Sequence, residues 1–260
     1  MKEKMFEQFF GVNTWSDANH QLFEPTDYEI LMKIFEDIYI SPDDTIVDFG
    51  CGKGRVLFYC NNRFFCNVTG IEADRGIYDE LIDNAENYHN KFMEQREKFR
   101  LYNLSAEEYE IDSNDKFFYF FNPFSSEILE KILAKIIRST HENLRQITLI
   151  FYYCTYEHQS VIRKFPLRLE QIIKLDGYEE DPDEKVCIYR LWFFLNHLNM
   201  QNAATRVLIA SVIIDAVRVL VIPLNTSSAL ALITICKNIP GIKDLLWCAI
   251  KPSNVPNTNA

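Results

Sequence analysis

Glycine is scarce in this chain, with eight in 260 residues. That scarcity excludes collagen-like and glycine-rich low-complexity architectures. It also makes three glycines at alternate positions, in "VDFGCGKGR" at 47–55, a concentration that demands a reason. Positive charge is lacking too. A formal net charge of −10 leaves no basic stripe, which disfavours tight nonspecific attachment to nucleic-acid backbones while leaving a local basic groove open. The seven cysteines (51, 60, 66, 154, 187, 236 and 248) contain no C-x-x-C pair, so the usual dithiol and zinc spacings are missing and no metal site is expected. Several sit in apolar strand-like runs and read as reduced, buried thiols of a cytoplasmic protein. The opening "MKEKMFEQFFGVNTWSD" has neither an apolar core nor a small-residue cleavage site, so no secretory signal is expected.

What is present is alternation. In "FEPTDYEILMKIFEDIYI", apolar residues at Tyr28, Leu31, Met32, Phe35, Ile38 and Tyr39 mark one face of a helix. Thr26 and Glu29 form a capping-box signature at its start. "TIVDF" is a buried-strand run, "RVLFYCNN" a helix, "NVTGIEA" a strand, and "DRGIYDELIDNAENYHNKFMEQREK" a long helix. Strands "FRLYN" and "KFFYFFN", helix "SSEILEKILAKIIRST" and strand "QITLIFYYC" follow. Such alternation predicts an α/β, doubly wound, mostly parallel sheet. "LRLEQIIKL" and "KVCIYRLWFF" have only a short helix and the acidic loop "DGYEEDPDE" near them, so they are expected to pair as a hairpin, making the last strand antiparallel.

A strand that ends in glycines and opens a helix aims backbone N–H groups at the crevice beyond the strand. Here Gly50, Gly52 and Gly54 stand with Asp48 at the first strand's end and Glu72 at the second's. A carboxylate at that second tip can accept both hydroxyls of a ribose. A dinucleotide site wants G-x-G-x-x-G, but the third position of that pattern is Arg55. A diphosphate would also be repelled by Asp48. An adenosine ligand with a positively charged amino-acid arm suits the loop better. Arg55 itself reads either as an exposed residue of the first helical turn or as a ligand contact.

"VDFGCGKGR", the acid in "GIEA", the loop "NLSAEEY" and "FYFFNPF", taken in order, resemble the motifs of class I S-adenosylmethionine-dependent methyltransferases. The likeness covers about residues 9–195 and is strongest to a bacterial branch. It implies a seven-stranded Rossmann-like sheet with its last strand antiparallel, and S-adenosyl-L-methionine as cofactor. By that resemblance Asp48 holds the methionine amino end, Gly50, Cys51 and Gly52 line the sulfonium arm, and Gly54 belongs to the same cofactor-binding loop. Glu72 binds the ribose, and Ser105 and Ala106 stand where the family reads adenine. Serine there replaces the family's acid, a weaker acceptor.

"FFNPF" ends the fourth strand where methyl transfer would occur, and in the family an Asn-Pro-Pro-Tyr turn orients a nitrogen acceptor. Asn122, Pro123 and Phe124 are the corresponding candidates here, one proline short and with Phe for Tyr. The same turn reads equally as a rigid strand end with Phe124 packed over the cofactor. The acceptor is not named by the sequence. No catalytic base stands out: His89 and His141 are expected at the surface, and Tyr152, Tyr153 and Tyr156 as core or as lining of an acceptor pocket.

The domains expected are an N-terminal lid segment at 1–25, the cofactor-binding domain at 26–196, and an atypical apolar tail at 197–260. From His197 on, Trp247 is the single aromatic and Asp215 and Asp244 the only acids. "VLIASVIIDAVRVLVIP" is short for a membrane span and carries Asp215 and Arg218, so no clear span is expected. A helical segment packed on the sheet, or a tail of foreign origin, are the alternatives. Function is read as methyl transfer. A protein that binds the same cofactor as a sensor, without catalysis, is the alternative.

Overall fold

The computed structural model describes residues 2–15, 24–122 and 124–191. Pro123 and the whole 197–260 tail therefore lie outside the described residues. The elements run α1 (Lys2–Phe10), α2 (Tyr28–Ile34), β1 (Thr45–Phe49), α3 (Arg55–Phe64), β2 (Asn67–Glu72), α4 (Arg75–Lys91), a 3-10 turn at Met93–Lys98, and β3 (Phe99–Asn103). Then come β4 (Asp115–Phe121), α5 (Ser126–Glu142), β5 (Thr148–Tyr152), α6 (Tyr156–Ile162), β6 (Leu167–Lys174) and β7 (Lys185–Leu191).

Seven strands form one sheet in the order β3-β2-β1-β4-β5-β7-β6. β1 to β5 are mutually parallel, and β7 runs antiparallel to both β5 and β6. This is the expected sheet, with the hairpin folded back so that β7 fills the slot beside β5. β1 is buried at all five positions because helices cover both faces. Strand alternation sends Ile46 to one core with Leu31, Leu57 and Leu81, and Val47 and Phe49 to another with Leu129, Leu133 and Ile136.

Two expectations about α2 change. Thr26 does not cap it: the N-cap is Asp27, and the buried Thr26 hydroxyl lies 2.8 Å from the Tyr119 hydroxyl of β4. The helix also stops at Ile34, leaving Tyr39 79% exposed where the periodic pattern placed it inside.

Candidate functional site

The C-terminal ends of β1 and β2 adjoin in register, Asp48 opposite Gly70 and Phe49 opposite Ile71. The chain then turns through Gly50, Gly52 and Gly54, with φ of +76°, +54° and +92°, a region that a side chain disfavours. The Gly50 and Cys51 N–H groups both donate to the Ile71 carbonyl, at 2.9 and 3.0 Å, so the loop is tied to the neighbouring strand. Glu72 locks the other side. One carboxylate oxygen accepts from the Gly52 N–H at 3.0 Å, the other from the Asp74 N–H at 2.9 Å.

The three glycines serve different ends. A Cβ on Gly54 would lie 2.5 Å from Leu81 Cδ1 and 2.9 Å from Phe58 Cε2, so the third glycine makes room for α4 and α3. Packing and backbone conformation are reason enough for it.

Asp48 is 3% exposed, and no protein hydrogen bond reaches its carboxyl among the described residues. Burial, and then the charge of Glu72, push it up to about 8. Cys51 is buried as well, and its thiol is raised by the same burial and by Asp48. It is one of five free, buried cysteines among the described residues.

Ser105 and Ala106 begin the loop after β3. The Ser105 N–H and hydroxyl both donate to Glu108 at 2.9 and 2.8 Å, which closes a turn. Ala106 packs against the second core. Asn103, not singled out by the sequence, bridges the tips of β2 and β3 by donating to the Glu72 and Ala73 carbonyls.

At the end of β4, Asn122 is exposed and adopts a φ of +38°. Phe124 turns its ring edge-on to Phe49 (6.4 Å, 79°) and Phe120 (6.2 Å, 81°). His158, buried on α6, brings Nε2 to 3.3 Å from the Phe124 carbonyl and so pins the turn from below. Beside it Phe121 stacks on Tyr152 at 4.2 Å. The Tyr152 and Tyr153 hydroxyls donate to Glu184 and Asp181, while Tyr156 is 70% exposed. Glu184 and Asp181 line a cavity of about 540 Å³ with Glu3, Asp27, Asp176 and Glu180. Two lysines on its wall are paired, Lys33 with Asp176 and Lys2 with Glu29.

Arg55 is not the exposed residue that one reading made it. It is 2% exposed, yet its partners are protein groups: Thr14 Oγ1 (2.7 Å), Glu3 (3.1 Å), Glu7 (3.6 Å) and the Thr26 carbonyl (3.2 Å). Its guanidinium also lies over the rings of Trp15 (4.6 Å) and Tyr28 (4.8 Å). The N-terminal aromatics are thereby held against the body: Phe10 is buried and Phe6 stacks on Tyr28 at 4.6 Å. Asn84 of α4 adds a second tie, accepting from the Asn13 N–H and donating to the Asn13 and Lys53 carbonyls. Lys53 is likewise buried and pairs with Glu80 at 2.7 Å. His89 is buried too, against the surface position expected of it. Its ring meets Phe99 edge-on at 4.8 Å, neither nitrogen is paired, and burial lowers its pKa.

No helix among the described residues is long and apolar enough to cross a membrane. No family model matches the chain. Over 118 residues it is 25% identical to the histone-lysine N-methyltransferase, H3 lysine-79 specific, of Dictyostelium discoideum, a stretch covering 42% of this chain and 6% of that protein. The chain thus spans a small fraction of that relative's length. Among solved structures it is similar to an RNA methyltransferase from Salinibacter ruber in complex with S-adenosyl-L-homocysteine (16% identity, 65% of this chain and 92% of that one, TM-score 0.43). It is also similar to the human methyltransferase 10 domain containing protein (10% identity, 74% of this chain and 94% of that one, TM-score 0.53). The last of these, with the strand order above, makes the fold the Rossmann-like one found in methyltransferases.

Proposed function

We propose that this chain is an S-adenosyl-L-methionine-dependent methyltransferase whose acceptor atom is nitrogen. One observation carries the reading: a buried, unpartnered Asp48 and a backbone-locked Glu72 flank a left-handed glycine turn at the C-terminal edge of a sheet with β7 reversed. That edge is where α/β folds take their ligands. The residues fit the cofactor. Glu72 retains acceptor capacity for a ribose diol beyond its two backbone bonds. Asp48 offers a carboxyl without a protein donor to a ligand's ammonium. Ser105 keeps lone pairs for an adenine amino group.

When bound, the cofactor supplies an electrophilic methyl on a sulfonium, and transfer to an amine is a displacement that needs positioning more than acid–base help. Asn122 would orient the amine through its carboxamide oxygen, on a turn held by His158. The acidic cavity beside Tyr152 and Tyr153 favours a cationic amine, and the similarity to a histone-lysine N-methyltransferase points the same way. Five free, buried thiols among the described residues suit a reducing compartment, which supports a cytoplasmic location.

One observation favours the non-catalytic alternative: Phe124 spends its ring on Phe49 and Phe120. The test is transfer of label from methyl-tritiated cofactor to a cell extract and to a panel of amines, alcohols and thiols. Labelled amines support the proposal. Transfer confined to hydroxyl or thiol acceptors removes nitrogen, and tight binding without transfer leaves the sensor reading.

A further inference from the structure

Alternation along β1 and β2 puts Asp48 and Glu72 on the same face of the sheet, the one covered by α2, α3 and α4. Glu72 is stationed there by two backbone N–H groups. Asp48 has no such donor. The groups that face it are Glu72 from β2, Cys51 from the glycine loop, Cys60 from α3 and Tyr119 from β4. None of these is a cation, and Tyr119 shares its hydroxyl with Thr26. The two nearest basic side chains of the loop are engaged elsewhere, Lys53 with Glu80 and Arg55 with Glu3 and Glu7. A buried carboxylate beside a second one, with no counter-ion, is neutralised by a proton unless another positive charge arrives.

From this arrangement we infer that Asp48 is protonated in the ligand-free protein and exchanges that proton for the positive charge of the bound cofactor. The inference rests on the cofactor reading above. The balance is simple. The Asp48 O–H bond breaks, its proton passes to the solvent buffer, and the carboxylate left behind accepts hydrogen bonds from the ligand's ammonium. Burial has already moved this carboxyl to about 8, so the exchange falls in the neutral range. Because the proton must leave first, affinity rises with pH, by about tenfold per unit below the midpoint.

Calorimetry of the full chain with S-adenosyl-L-methionine, in two buffers of different ionisation enthalpy, counts the protons directly. Expected is release of close to one proton per ligand near pH 7, and an affinity that climbs about tenfold between pH 6 and 7. Asp48→Asn is expected to bind with no proton release and a flat pH profile over that range. In parallel, carbon-13 NMR of carboxyl-labelled aspartates in ligand-free protein is expected to show one signal titrating above all others, Asp115 included, and missing from Asp48→Asn. The NMR arm reads the outcome even if that variant fails to bind. Binding by the unaltered chain with no proton exchange overturns the inference and spares the cofactor reading, as does an Asp48 signal titrating with ordinary carboxylates. Absence of binding at every pH overturns the cofactor reading itself.

Discussion

The Arg55 guanidinium donates to the Thr26 carbonyl at 3.2 Å, joining the first turn of α3 to the chain just before α2. The same side chain holds Glu3 and Glu7, so one buried cation fastens the N-terminal segment beside the glycine turn.

Removing that cation strands two acids. Arg55→Met is expected to cost about 3–5 kcal/mol, the usual penalty for breaking one side of a buried ion pair. Urea denaturation monitored by circular dichroism checks it. A loss within experimental error would mean that the Thr14 and Tyr28 donors, not Arg55, satisfy Glu7 and Glu3.

Gly54→Ala meets Leu81 and Phe58 and forces a side chain into a φ of +92°. Overpacking and strain together predict a loss of about 1–3 kcal/mol. Leu81→Ala in the same chain relieves the contact, so the double variant should show a coupling above about 0.5 kcal/mol. Strict additivity would assign the whole cost to the backbone.

Gly50→Val and Glu72→Ala test the binding map. Gly50 sits at +76°, and Glu72 holds the Gly52 and Asp74 N–H groups. Both variants are expected to lower cofactor affinity at least about tenfold, the worth of roughly 1.4 kcal/mol. Unchanged calorimetric affinity in both would contradict the placement of the site.

Asp115, at the opposite end of β4, gives stability a pH dependence unrelated to the site. Its carboxyl accepts from the Tyr109 hydroxyl and the Asp112 N–H, yet burial dominates and raises it from 3.8 to about 6. A raised folded-state pKa means the native state binds the proton more tightly. The stability this contributes is complete below the unfolded value and is lost as pH climbs through about 6. Relative to Asp115→Asn, the unaltered chain should therefore lose on the order of 3 kcal/mol between pH 4 and 7. Parallel denaturation series of the two chains measure the difference.

Ending the chain at residue 196 should leave a folded product that still binds cofactor. Among the described residues, the seven-stranded sheet ends with Leu191 and both cores are built from residues up to and including it. Thermal melting and calorimetry read the result. An aggregated product would show that the remaining residues cover necessary surface.

The order of strands and helices was legible because apolar periodicity is local: "TIVDF" and "FRLYN" coincide with β1 and β3 residue for residue. Of the site, the glycine turn and the acids at the strand tips were legible for the same reason. They follow from the residues' own backbone preferences and from the end of an apolar run. Thr26 was misread because a local capping signature and a contact 93 residues away compete for one hydroxyl, and burial against Tyr119 wins.

By itself, then, the sequence determined a reversed-strand α/β sheet and the bare-backbone turn between β1 and α3, since these depend on φ and on neighbours a few positions apart. Tertiary structure alone decided that Arg55 points inward, that Gly54 yields to Leu81, that His89 is buried and that Asp48 lacks a counter-ion among the described residues. Each depends on groups brought together from distant positions, where a charge finds a partner or goes without one only once the chain has closed.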